Sequence, residues 1–323
     1  MEKRNINMLE NINQNDDYID FSSFIKLALG NKWLVISITT LLIAASIVYA
    51  VRLPNVYKAD ALLVSNSTNN SSSQLGALAS QFGGVASLAG IDLGQSPESG
   101  QTKALALLQS RTFLYSFIEK YDIRDEIIAG VGWDRHKNKV IFDDDLYREV
   151  NKSWVREVKY PLETVPTNRE VYEKLIVNHL TIMENEDTNT VSISFTFYSP
   201  QFAKEMIDFL IVELNENLKK QDLLDAEKSI KFLNSELSNT NNVGIQNIFF
   251  NLIDKNYQTL MLTKIRDDYA FSILDPAVTP ETRYGPNRIG IVILGGALGG
   301  ILSFLLLLYK FRKISSVSHE LAE

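Results

Sequence analysis

The side chains best equipped for chemistry are few and scattered. Asp143, Asp144 and Asp145 stand together in the 323-residue chain, the histidines are His136, His179 and His319, and there is no cysteine. Lack of cysteine removes disulfides, thiol nucleophiles and the common zinc sites in one step. A calcium loop spaces its oxygens at alternate positions and turns on a glycine. The aspartate run does neither and reads as a solvated turn. His179 falls where helical spacing is running, and no nucleophile–base–orienter set can be assembled around it. The expectation is therefore no catalytic residue, no metal site and no cofactor. A net charge of −7 with a pI near 5.2 argues against nucleic acid, which selects a basic face.

What the chain concentrates instead is apolar length. Trp33–Val51 (WLVISITTLLIAASIVYAV) carries no charge, and Ile289–Tyr309 (IGIVILGGALGGILSFLLLLY) repeats the pattern. Each is close to the roughly 20 residues that cross about 30 Å of hydrocarbon. Lys32 and Arg52 bracket the first run, and Arg288, Lys310, Arg312 and Lys313 bracket the second. Asp16, Asp17 and Asp20 precede the first run, so it reads as an uncleaved anchor rather than a secretory signal. The resulting plan is a cytoplasmic tail (1–32), a first membrane helix (33–52), a body (53–287), a second membrane helix (288–309) and a second cytoplasmic tail (310–323). Both tails then share one side, favoured weakly as cytoplasmic by Lys26, Lys32 and the Lys310 cluster. The final residues are too short for a kinase or any other folded effector.

Within the second run Gly295 and Gly299 are four apart, as are Gly296 and Gly300. Small residues at that spacing let helices approach closely in lipid, so these four are candidates for packing against the first helix or another copy of the chain. Just before the run, Asp275 and the prolines Pro276, Pro280 and Pro286 mark a segment that cannot continue a helix and is pushed toward extended geometry.

The body reads as α+β. Tyr57–Val64 resembles a strand, and 65–101 is a Ser/Gly-rich segment expected to be a flexible loop. Thr102–Tyr121 has helical spacing interrupted near Ser110. Thr167–Glu170 is a capping box opening a helix toward His179. Val191, Ile193, Phe195 and Phe197 alternate with polar residues, the clearest strand pattern in the chain. From Ser199-Pro200 the period changes, and residues 200–240 contain no glycine and no proline beyond Pro200. Ile207, Leu210, Leu214 and Leu218, then Ile230, Leu233 and Leu237 after a slip in phase, form a narrow apolar stripe. A helix that long outgrows a compact core, so the stripe is expected to serve packing between copies or a hairpin with the next helical stretch, 245–269.

The order of these parts resembles the Wzz family of O-antigen chain-length determinants, the class 1 polysaccharide co-polymerases. The likeness is carried by the lead-in YIDFSSFIKLALGNKW, the helix TKALALLQSRTFLYSFI, the passage SPQFAKEMIDFLIVELN and above all Phe271–Gly300 with its aspartate, prolines and glycines. It implies an inner-membrane protein with a periplasmic body of mixed α/β base and long helix, assembled as a ring. It also implies no enzymatic activity, and action with a Wzy-type polymerase on lipid-linked polysaccharide. A related alternative is a co-polymerase for capsular or exopolysaccharide export coupled to a separate tyrosine kinase. Neither a Gly-Lys-Ser/Thr phosphate loop nor a tyrosine-rich tail is present to favour it. The proline spacing is looser than in many members, and Tyr284-Gly285 stand where another proline is often found.

Overall fold

The computed structural model describes residues 32–65 and 97–320. Two units result, one formed from the residues up to Leu53 together with those from Pro286 onward, the other from Pro54–Gly285. The 1–32 tail (save Lys32) and most of the expected 65–101 loop lie outside the described residues.

The first unit is a pair of helices, α1 (Lys32–Arg52) and, at the other end of the chain, α8 (Arg288–Glu320). The long stretches without charge meet the length and composition for crossing a membrane at Trp33–Arg52 and Arg288–Tyr309. α8 starts where Pro286 forbids earlier helix, and the Asn287 side chain accepts the Gly290 N–H at 3.0 Å as its cap. It does not stop at Tyr309 but runs on to Glu320, through residues allotted above to a tail. The reason is local, since 310–320 contain no glycine or proline to end it.

In the second unit a four-stranded antiparallel sheet has the order β6 (Leu180–Asn185), β7 (Thr190–Phe197), β1 (Tyr57–Ser65), β8 (Phe271–Asp275). The register Tyr57↔Phe197, Ala59↔Phe195, Ala61↔Ile193 and Leu63↔Val191 places these eight side chains on one face. That face is the centre of the core. It is covered by the first half of α6 (Pro200–Asn239), with Ala203, Ile207, Leu210 and Leu214 fully buried. Helices α2 (Pro97–Leu108) and α3 (Arg111–Tyr121) complete the cover through Leu108, Leu114 and Phe117. Residues 97–101, expected in the loop, are thus the first turn of α2. The break near Ser110 is a cap, since its side chain accepts the Phe113 N–H at 3.2 Å.

The smaller parts are tied down by polar contacts. Helix α4 (Arg124–Ala129) leads into a hairpin, β2 (Gly130–Asp134) and β3 (Lys139–Phe142), then a short ribbon, β4 (Tyr147–Arg148) and β5 (Ser153–Trp154). Helix α5 (Asn168–Lys174) opens with the Thr167–Glu170 capping box and passes into a π-turn over Leu175–His179. Buried Arg156 donates to the Glu163 and Thr164 carbonyls and to the Glu170 carboxylate, closing the 155–166 loop onto that cap. Helix α7 (Val243–Ile265) returns along the outer half of α6.

Candidate functional site

In the two-helix unit α1 and α8 approach closely. A side chain at Gly295 would place its Cβ 1.8 Å from the Ser46 Oγ, and one at Gly299 would meet the Thr39 Cα at 3.0 Å. A Cβ at Gly295 would thus force a shift, one at Gly299 would be tight, and the two backbones approach as small residues allow. Gly296 is in ordinary contact with Ile43, while nothing lies within 4 Å of a Cβ at Gly300. The four glycines thus divide into Gly295 and Gly299 against α1, Gly296 beside them and Gly300 facing away. Ser303, one turn after Gly299, donates to the Gly299 carbonyl at 2.7 Å and lies 3.4 Å from the Thr39 hydroxyl. Thr39, Ser46 and Ser303 were missed in the sequence. Their signal was a seven-residue spacing of hydroxyls in one apolar run and a serine four residues after a glycine in the other.

The proline segment runs from the sheet to the exit of the second unit. Asp275 ends β8 opposite Leu62, and Pro276 and Pro280 lie on an irregular stretch whose Ala277 is buried. The Tyr284 and Gly285 N–H groups both donate to the Val56 carbonyl, at 2.9 and 3.2 Å, and Val56 N–H returns a bond to Gly285 at 3.0 Å. A proline at either position would remove one of these donors, which accounts physically for Tyr-Gly there. Pro286 follows the bridge.

The stripe of the long helix divides between two partners. Ile207, Leu210, Leu214 and Leu218 are buried in the sheet core, whereas Ile230 and Leu233 are buried in the outer half of α6, which runs beside α7, and Leu237 is half-buried there. At the changeover sits a polar cluster not anticipated from the sequence. Buried Asn215 accepts the Ala270 and Phe271 N–H groups at 2.9 and 3.0 Å and donates to the Phe271 carbonyl at 3.1 Å. Asp222 accepts the Tyr269 hydroxyl at 2.8 Å and the Lys103 ammonium at 2.6 Å. Burial, then the Asp222 carboxylate, pushes the Tyr269 hydroxyl well above its ordinary value. The only hint was an Asn breaking an apolar stripe.

The residues considered for chemistry are separate. Asp143 accepts the Asp145 N–H at 3.0 Å within a turn. His179 is packed against Phe195 and Phe197, with Nδ1 2.8 Å from the Thr196 carbonyl. Burial, with a push from Lys174, lowers its basicity against that carbonyl. Among the described residues no group of three or more His, Asp or Glu side chains is arranged to hold a metal ion.

Fold and site define a class, an α+β body in a chain that also carries a pair of apolar helices fit to anchor it in a membrane. Over residues 17–121 the chain matches the family model Wzz, chain length determinant protein. No curated protein matches it. Among solved structures it is similar to a full-length bacterial polysaccharide co-polymerase (13% identity, 93% of this chain and 99% of that one, TM-score 0.40). It is also similar to a fragment of WzzB, a polysaccharide co-polymerase from Salmonella Typhimurium (14% identity, 72% and 100%, TM-score 0.33). The family match over residues 17–121, rather than these likenesses, is what bears on function.

Proposed function

We propose that the protein is a non-enzymatic regulator of lipopolysaccharide O-antigen chain length. In this reading it is a two-pass protein of the bacterial inner membrane with both termini cytoplasmic and residues 53–287 periplasmic. Copies assemble into a ring and act with a Wzy-type polymerase on lipid-linked polysaccharide to set the modal length. The observation that carries the reading is the family match over residues 17–121, which spans the first membrane helix, β1, α2 and α3. The paired helices fit a scaffold, since they approach closely at Gly295 and Gly299 and so can anchor a chain in a membrane.

Deleting the gene and resolving surface lipopolysaccharide by electrophoresis tests it. The modal band should vanish while a ladder of lengths persists. Complete loss of polymer, or an unchanged mode with altered capsule, overturns it in favour of the export co-polymerase coupled to a separate tyrosine kinase.

A further inference from the structure

The chain is acidic overall, yet the turn of the β2–β3 hairpin reads Asp134-Arg135-His136-Lys137-Asn138-Lys139. Arg135, Lys137 and Lys139 are exposed, and the hairpin's Val131 and Ile141 are 41% and 48% exposed. The turn is held in shape. The Asp134 carboxylate accepts the His136 and Lys137 N–H groups at 2.9 and 3.3 Å, and the Trp133 indole donates to Asn138 at 3.0 Å. Its counter-charges are Asp134, used internally, and Glu149, 3.7 Å from Lys139.

The hairpin also has a fixed address in its unit. Trp133 meets the ring of Tyr57 edge-on, with centroids 5.8 Å apart. Tyr57 opens β1, next to the Val56–Gly285 bridge, where both crossings of the unit's boundary occur. On the opposite face of the same sheet end, Lys58 lies over the exposed Tyr284 ring at 5.5 Å. Tyr57 follows Arg52, the end of the first membrane helix, by only five residues. Tryptophan, tyrosine and basic side chains gathered beside a membrane entry are the composition that favours the headgroup layer.

We propose that the β2–β3 hairpin docks on the anionic phospholipid headgroups of the bilayer that holds α1 and α8. Arg135, Lys137 and Lys139 meet the phosphates, and Trp133 with Tyr57 settles at the level of the headgroups. The inference needs a membrane-anchored chain but not the chain-length reading, and it is tested without polymer.

The full-length chain carrying Trp33→Phe and Trp154→Phe keeps Trp133 as its one tryptophan. It is placed in nanodiscs of phosphatidylcholine alone or mixed with phosphatidylglycerol, each with a headgroup spin-labelled lipid. Trp133 fluorescence should be quenched more strongly in the anionic discs, and the difference should disappear near 1 M salt, where the screening length is about 3 Å. Each basic side chain near such a surface favours the docked state roughly fivefold, so Arg135→Glu with Lys137→Glu should weaken docking by well over tenfold. Hydrogen exchange of residues 130–142 in the unsubstituted chain should slow in the anionic discs alone. Equal quenching and exchange in both lipids overturn the proposal. So does protection independent of lipid charge and salt, which means that protein, such as a second copy, covers the hairpin.

Discussion

The two halves of α6 are one continuous helix with different physics. Nine of its twelve buried positions lie at or before Leu218, and only Ala226, Ile230 and Leu233 follow. The inner half lies on a sheet face and is sealed by α2 and α3. The outer half has α7 beside it and solvent elsewhere, with Phe232 on α6 and Phe250 on α7 at 62% and 52% exposure. Forty residues make about 60 Å of helix, so roughly half of it extends past what the core can cover. A helix is kept intact by what it buries more than by propensity. The inner half therefore carries the stability of the body, and the outer half opens at lower cost.

The largest expected effect breaks or upholds this contrast directly. Leu210, with no exposed surface, should lose about 2–5 kcal/mol on Leu210→Ala, because the surrounding sheet and helices cannot close the cavity. Leu233→Ala, beside a single helix that can relax, should cost about 2 kcal/mol or less. Denaturant unfolding of the full chain in detergent compares them, and equal losses would erase the distinction. The membrane pair repeats the contrast between a sealed and an open side. Gly295→Leu should force α1 and α8 apart at a cost of about 1–3 kcal/mol, whereas Gly300→Leu should leave them in place. In this cysteine-free chain, oxidation of a Thr39→Cys, Ser303→Cys pair reports the change. Loss of the crosslink from both leucine variants, or from neither, counts against the seam.

How much of this was legible follows from which interactions are periodic. The alternation from Val191 to Phe197 marks β7, and the spacing of Leu210, Leu214 and Leu218 marks a helix, because one buried face repeats at two residues or at 3.6. The same stripe does not say what it meets. Ile207–Leu218 and Ile230–Leu237 look alike in sequence, yet one set is in the sheet core and the other in the half of α6 that runs beside α7, since partner choice is tertiary. The slip in phase between them was the visible trace of that changeover. Asn215 and Asp222 act through long-range hydrogen bonds, to Ala270 and Phe271 and to Tyr269 and Lys103, and leave no period to read. In the glycine run, spacing alone offered two overlapping pairs, and only the rotation of α8 against α1 distinguishes Gly295 and Gly299 from Gly300.

A smaller effect distinguishes the halves by pH. His179 lies beneath the inner half, on Phe195 and Phe197, which also meet Phe202 of α6. Its folded-state pKa is lowered by burial, so below the ordinary value of 6.5 the unfolded chain takes up a proton that the folded chain refuses. Stability should therefore be complete above that value and fall with pH beneath it, toward the folded pKa. Lys174, the charged neighbour, adds to the penalty, while the Thr196 carbonyl offsets part of it. His179→Phe should flatten this part of the pH profile, and exchange protection should drop in β7 and the inner half of α6 before α7. A slope that survives the substitution belongs to other groups.

The smallest effect on the isolated chain is the most informative about the outer half. Phe232→Ser removes a ring that is mostly in water, so unfolding of a single protomer should shift by no more than about 0.5 kcal/mol. An exposed ring on a helix already extended beyond its core, with Leu224 at 44% exposure on the same half, lowers solubility without stabilising the protomer. If copies associate through this half, burial of that surface restores what the lone helix lacks. The substitution should then lower the mass of the detergent-solubilised complex while leaving protomer unfolding unchanged. A loss in protomer stability larger than about 1 kcal/mol would mean that the outer half contributes to folding as the inner half does. Unchanged mass with unchanged stability would instead remove the outer half from the assembly and leave contact between copies to other surfaces.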